Sequence, residues 1–268
     1  MRVSITVYNK WPGCYTALVL LALWEIIARM YPPVILPGPL ETLRTLLTLA
    51  ERGILWQSLA LSFLRLIVGF VLSFLLGAGL GVWAGANEKV LKLIRPVVTT
   101  FQAIPPVSWI LLAILWLGVE GGAQIFVVTI ALFPVFFFNS IQGIRQVPRD
   151  LLEMAEVFQV SRCKRIKDIV WPTLAPFWAA ALTVNIGTGW KTVVMSELIS
   201  GQTGIGAAMN TARIYLKTEE VMAWTLLVAL LGMSLEWLVR KYTSKKRGST
   251  SNAIQSHHCQ IRESSQGI

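Results

Sequence analysis

Two clusters of polar side chains interrupt otherwise apolar runs, and they hold most of the chemistry this chain has to offer. One lies in TVNIGTGWKTVVMSELISGQTGIGAAMN, which carries Asn185, Thr188, Trp190, Lys191, Thr192, Ser196 and Glu197. The other is FQAIPPVSWILLAILWLG, where Gln102, Ser108 and Trp109 surround Pro105 and Pro106. Polar groups inside lipid are costly and turn toward a bundle interior or a water-filled cavity, so both clusters are candidates for the wall of a passage. Pro105 and Pro106 remove two backbone donors and interrupt the helical ladder. Broken backbone of this kind is tolerated at membrane depth where it is buried or lines a cavity, and a simple packing kink is the competing reading. Gly187 and Gly189 loosen the other run. Lys191 either attracts an anion there or snorkels to the outer interface. Hydrolytic or redox catalysis needs a nucleophile, a base and an orienting group within reach, and the apolar runs hold neither histidine nor aspartate. The expectation is a chain that passes solute and is not an enzyme.

The elements that carry these clusters must be membrane helices. Of 268 residues 54% are hydrophobic and 14% charged, and the mean hydropathy is +0.61. A spanning helix needs about 20 mostly apolar residues. Stretches near 15–30, 60–86, 96–117, 123–144, 173–194 and 221–239 qualify, giving an all-α integral membrane protein, a six-helix polytopic bundle. The first stretch carries Glu25 and is the shortest, so a signal peptide competes, but no small-x-small cleavage pattern follows it. Glu25, Arg65 and Glu236 sit in or beside spans and are read as interfacial or paired charges without function. With the N-terminus inside, most of the 24 basic residues fall on the cytoplasmic side, as the positive-inside rule requires. Both termini are therefore expected in the cytoplasm of a multi-pass cell-membrane (inner or plasma membrane) protein. The net charge of +10 is then a matter of topology and implies no nucleic-acid partner.

Between the first two spans, Pro32, Pro33, Pro37 and Pro39 fix an extended entry, and Pro39 can open an amphipathic helix carrying Leu40, Leu43, Leu46, Leu47 and Leu49. Such a helix lies on the outer membrane surface or against the bundle. Gly77, Gly81 and Gly85 recur every four residues, which lets a neighbouring helix approach closely; no glycine-lysine phosphate loop occurs, so ATP is not bound by this chain. Cys14, Cys163 and Cys259 are too scattered for a disulfide framework, and His257 and His258 beside Cys259 form an incidental tail cluster without a fourth metal ligand. Residues 1–242 are expected to form the membrane domain and 243–268 a disordered cytoplasmic tail.

One stretch is not apolar. DLLEMAEVFQVSRCKRIKDIVWP, from Asp150 to Pro172, is an amphipathic segment that turns basic at Arg162, Lys164, Arg165 and Lys167, the composition of a cytoplasmic loop. Leu151, Ala155 and Phe158 share one helical face, and that face needs a soluble partner.

This segment resembles the EAA loop of binding-protein-dependent ABC importer permeases, whose pattern runs Glu-Ala-Ala, a glycine after three residues, and Ile-x-Leu-Pro after nine more. Glu153, Ala155, Ile169 and Pro172 match; Met154, Gln159 and Trp171 depart. LALWEIIA, ILPGP, SFLRLIVGF, FQAIPPVSWILLAILWLG and WKTVVMSELISGQTGIGAAM extend the likeness over nearly the whole chain, closest to the nitrate, sulfonate and taurine type. The resemblance implies a type I ABC importer (MetI-like) fold with a cytoplasmic coupling-helix loop over 145–172. It implies contact with two ATPase subunits through Leu151, Leu152, Glu153, Ala155 and Phe158, with Gln159, Ile169 and Pro172 shaping the turn and exit. It further implies a second permease subunit, in a homodimer, an extracytoplasmic substrate-binding protein, and ATP and Mg held by the ATPase. The solute is expected to be a small anion such as an alkanesulfonate, taurine or nitrate, with a pyrimidine, thiamine precursor or flavin as alternatives. An ion-gradient-driven secondary transporter is the rival class; it needs mid-span carboxylates, which are scarce here. Glutamine lacks glycine's freedom at positive φ, so the turn at Gln159 is expected to be strained by roughly 1 kcal/mol or to adopt another geometry.

Overall fold

The computed structural model describes residues 11–239 and Lys241. The expectations for the tail at 243–268, with its histidines and Cys259, lie outside the described residues. Helix α1 spans Trp11–Met30 and is exposed nearly all round, through Leu18, Leu20, Leu23 and Ile26, as a helix bathed in lipid is. The Trp24 indole donates to Pro37 O at 3.2 Å and ties α1 to the proline-rich entry. Helix α2, Pro39–Glu51, opens with proline at its first position and with the Gly38 N–H donated to the Glu41 carboxylate at 3.3 Å. Thr42 and Leu49 are buried, and Leu49 joins Leu55, Leu66, Trp190 and Trp224 in one apolar core. The amphipathic helix therefore packs on the bundle.

The central pair is α3, Ile54–Ala86, and α6, Gly122–Arg145. No hydrophobic force separates helix from lipid inside a bilayer, so close backbone approach must supply the attraction. A Cβ added at Gly77 meets Phe133 O at 2.7 Å, and one at Gly81 meets Phe137 O at 2.6 Å. Gly69 and Gly85 likewise abut Val128 and Ile144 of α6. The four-residue glycine ladder is thus the seam of the bundle, while Gly79, one step off it, faces open space.

The third span expected at 96–117, its helical ladder interrupted at Pro105 and Pro106, is built as two helices. Helix α4, Glu88–Ala103, and helix α5, Pro106–Leu117, meet at a bend of 98°. Ile104 and Pro105 are both extended, because a residue before proline is driven out of the α region. Asn87 caps α4 by accepting the Lys89 N–H at 3.0 Å. Trp109, Ile110 and Ala113 of α5 then bury against Ala123 and Val127 of α6.

Helix α7, Arg149–Val157, follows α6. The chain then turns into one continuous helix of 39 residues over Arg162–Ser200: a first turn α8, Arg162–Arg165, a π turn at Ile166–Val170, and α9, Trp171–Ser200. The basic residues from Arg162 to Lys167, expected in a loop, are helical. The π turn explains how. Pro172 cannot donate and crowds the carbonyl four residues back, and the Trp171 N–H instead reaches five residues to Ile166 O. Helix α10, Ile205–Ile214, and helix α11, Thr218–Val239, complete the described chain. Among the described residues four helices are long and apolar enough to cross a membrane, or five if the bent pair counts as one span; α1 adds a 20-residue helix, long enough at about 1.5 Å per residue.

Gly81→Val forces the α3–α6 seam apart and is expected to cost about 1–3 kcal/mol, whereas Gly79→Ala is neutral or slightly stabilising. Unfolding in mixed detergent micelles measures both, and equal effects at the two positions contradict the seam.

Candidate functional site

Helix α7 exposes Leu151, Met154, Val157 and Phe158, with Val157 80% and Phe158 73% exposed. Ala155 is buried and Leu152 half-buried, so the helix turns those two inward and offers the others outward. The face expected from Leu151, Ala155 and Phe158 is accordingly shifted by about one position. Glu153 is exposed beside it, Ile169 is half-buried, and Pro172 is exposed.

Gln159 keeps the geometry of a glycine. Its φ is +52°, its N–H bonds to Glu156 O at 2.9 Å, and the Val160 N–H bonds to Ala155 O at 2.9 Å. This bond pair is a Schellman cap with glutamine in the left-handed position. Arg165, which the sequence reading gave no role, holds the turn from the other side: its Nε donates to Val160 O at 2.9 Å, and its guanidinium lies 4.0 Å from the Glu156 carboxylate.

At the far end of α9 is a second constellation. Glu197 is wholly buried and Arg65 is 8% exposed. Arg65 Nη1 donates to Glu197 Oε1 at 2.6 Å and to Thr203 O at 2.6 Å, and Nη2 donates to Thr203 Oγ1 at 2.7 Å. The other carboxylate oxygen accepts the Ser62 hydroxyl at 2.6 Å and the Gly206 N–H at 3.1 Å. Ser62 Oγ in turn accepts the Ile205 N–H at 2.9 Å. Gly204, at φ +104°, and Gly206 leave no room for a Cβ against the Glu197 side chain and α9. Helices α3 and α9 and the turn into α10 are thereby locked together through one ion pair.

This lock corrects the reading of the polar run. Asn185, Ser196 and Glu197 were candidates for a passage wall, yet all three are fully buried. Asn185 donates to Leu132 O of α6 at 3.2 Å, and Ser196 to Val193 O at 2.8 Å. The Asn185 bond joins α9 to α6, whereas the Ser196 bond stays within α9 and satisfies a buried hydroxyl. Arg65, expected as an interfacial or paired charge without function, is the paired kind, and what went unforeseen is that its partner is Glu197. The spacing of Arg65 from Ser62, three residues on an otherwise apolar helix, put both on one face and was the available signal.

Along the polar run of α9, what remains exposed is a stripe of Val184, Thr188, Lys191, Met195 and Ile199. At the bend, Gln102, Pro105 and Pro106 are exposed and Ser108 half-buried. Thr188 and Lys191 therefore share a face, while the bend residues lie on the other polar segment.

Comparison with known proteins agrees with this architecture. The family model of the binding-protein-dependent transport system inner membrane component matches residues 69–248. The chain is 28% identical over 228 residues to the taurine transport system permease protein TauC of Escherichia coli, covering 82% of this chain and 83% of that one. It is 32% identical over 216 residues, 80% of this chain and 82% of the other, to an Escherichia coli protein described as the aliphatic sulfonates transport permease SsuC. It is 27% identical over 238 residues, 82% and 84% of the two chains, to the bicarbonate transport system permease protein CmpB of Synechococcus elongatus. In fold it is similar to a chain of the inward-facing MetNI methionine ABC transporter, with a TM-score of 0.52 and 18% identity over 71% of this chain and 95% of that one.

Two expectations follow from the geometry. Arg65→Met strands the Glu197 carboxylate and is expected to destabilise by about 3–5 kcal/mol, with Glu197→Leu on top costing little more or restoring stability; additive losses in micelle unfolding count against the lock. Gln159→Gly relieves the left-handed strain by about 1 kcal/mol, which should slow hydrogen exchange at Val160; unchanged exchange contradicts the strain.

Proposed function

The chain belongs to the binding-protein-dependent transport system inner membrane components, multi-pass permeases of ABC importers, and we propose that ATPase subunits drive it through α7. Members of such systems operate with an ATPase and a binding protein; the specific assembly proposed here is two copies of this chain, two ATPase subunits and one external binding protein. The two ATPases hold ATP and Mg, and both termini of the permease face them.

The observation that carries the reading is the exposed apolar edge of α7. Among the described residues Leu151, Met154, Val157 and Phe158 all stay exposed, from 42% to 80%, although α7 is short and lies at a break between two long helices, where lipid contact is not needed. A soluble groove that receives this edge removes apolar surface from water at about 25 cal/mol per Å². Glu153 beside it supplies a charge for orientation. Because α8 continues without a break into α9, a displacement of α7 is delivered to the α9 stripe. Each nucleotide state must favour a different position of α7, since a ligand shifts a conformational equilibrium only by its differential affinity. Alternation between outward and inward openings is the result, with Gln102, Pro105, Pro106 and Ser108 at the bend and Thr188 and Lys191 on α9 lining the passage.

Residues 1–242 act as the permease unit in this scheme. The relatives named for taurine, aliphatic sulfonates and bicarbonate support a small anionic solute.

Phe158→Asp leaves the isolated bundle intact, because the side chain is exposed, and is expected to lower solute uptake by about tenfold or more while the ATPases still hydrolyse ATP. Uptake and hydrolysis measured on the reconstituted complex decide it: wild-type coupling in this variant refutes the docking role of α7.

A further inference from the structure

Lys191 is a charge inside a membrane helix to which the described residues supply no counterion. It is exposed on α9, and no ion pair or hydrogen bond engages its ammonium among the described residues. Its depth follows from its neighbour. The Trp190 indole donates to Val228 O at 3.0 Å, and Val228 lies at the middle of α11, Thr218–Val239. Along α9 itself Lys191 precedes Ser200, the last residue of the helix, by nine positions, about 13 Å at 1.5 Å per residue.

Snorkelling to the outer surface is a poor solution at this place. Helical side chains tilt toward the N-terminus of their own helix. The N-terminus of α9 is the end joined to α7, so the lysine stem points away from the outer interface and into the membrane. Glu236 of α11 lies against Gly187, one turn along α9 on the same side, yet no ion pair joins it to Lys191. A lysine facing hydrocarbon at mid-depth is excluded on cost, and such groups line water-filled cavities or meet a partner. The Thr188 hydroxyl lies three residues earlier on the same stripe and adds a second polar group.

We propose that Lys191 is an anion-binding residue of the passage, contacting the sulfonate, carboxylate or other oxyanion group of the solute as it crosses mid-membrane. The assignment rests on the importer reading above and adds a specificity-determining residue to it. In an assembly of two copies the stripe of each chain faces the shared passage, and two ammonium groups then attract one small oxyanion without binding it deeply enough to trap it.

The test uses the full complex of permease, ATPases and binding protein in proteoliposomes. In a background with Cys14, Cys163 and Cys259 replaced by serine, Lys191→Cys is expected to react with a membrane-impermeant thiol reagent at least about tenfold faster than Leu20→Cys on α1, the helix exposed nearly all round, because a thiolate forms in water and not in hydrocarbon. Equal, slow reaction at the two sites overturns the proposal. For transport, uptake of taurine, ethanesulfonate and bicarbonate is followed. With an anion that the wild type carries, Lys191→Gln is expected to raise KM about tenfold or more, as loss of a charge-assisted hydrogen bond does, and Lys191→Arg to recover most of it. Wild-type KM in Lys191→Gln overturns the proposal and leaves the importer reading standing. If the wild-type complex hydrolyses ATP but carries none of the three anions, the anion role fails while α7 coupling survives; if ATP drives no uptake of any solute supplied by the binding protein, the importer reading itself fails.

Discussion

The buried pair between Arg65 and Glu197 is the constraint on which the rest of this molecule turns. Two charges taken out of water lose several kcal/mol of hydration each, and their attraction offsets that only where further hydrogen bonds meet them. Here the guanidinium reaches Glu197 and both oxygens of Thr203, and both carboxylate oxygens are bonded, one to Arg65 and the other to Ser62 and the Gly206 N–H. A partial separation of α9 from α3 would leave a bare charge in an apolar surround, so this end of α9 is held all or nothing. The glycines at 204 and 206 serve the same constraint, since a side chain at either place would push the turn off the carboxylate.

A helix fixed so firmly at one end moves, if at all, at the other. The continuous helix of 39 residues, Arg162–Ser200, starts just after α7 and carries the lock near its other end, and the glycine seam binds α3 to α6 alongside it. Among the described residues, the end next to α7 carries no comparable bond. Arg165 reaches Glu156 and Val160 O, and Arg145 reaches Glu88 at 3.7 Å. Exposed ion pairs of that kind are worth less than about 1 kcal/mol. The stiff and yielding parts of the fold are therefore separated along one helix, with the π turn at Ile166–Val170 on the yielding side.

Much of this was legible from the residues. Apolar run lengths gave the long helices, Pro39 and Pro105–Pro106 marked a start and a break, and the ladder at Gly77, Gly81 and Gly85 announced a close helix contact. The amphipathic segment after Asp150 was readable as a helix awaiting a partner. The sequence did not tell which polar residues face inward to stabilise and which face a passage. Periodicity places Asn185 and Ser196 on a helix, but only the positions of α6 and α10 decide that they are enclosed, and those positions are set by contacts more than fifty residues away in the chain. The helical character of Arg162–Lys167 was hidden for another reason. Their composition belongs equally to a loop, and the π turn that accommodates Pro172 leaves no mark in hydropathy.

Gln159 shows how a departure from a family pattern is absorbed. A side chain at φ +52° raises the energy of the turn, yet the two backbone bonds of the cap and the Arg165 clamp all require that same conformation. Abandoning it would release the carbonyls of Ala155 and Glu156 together and swing Phe158 away from the edge it shares with Leu151 and Met154. Roughly 1 kcal/mol of local strain is smaller than the loss of two hydrogen bonds at about 1 kcal/mol each plus the clamp. The geometry of the turn is thus dictated by its bonds, and glycine is the easiest residue to place there without being the sole one that fits.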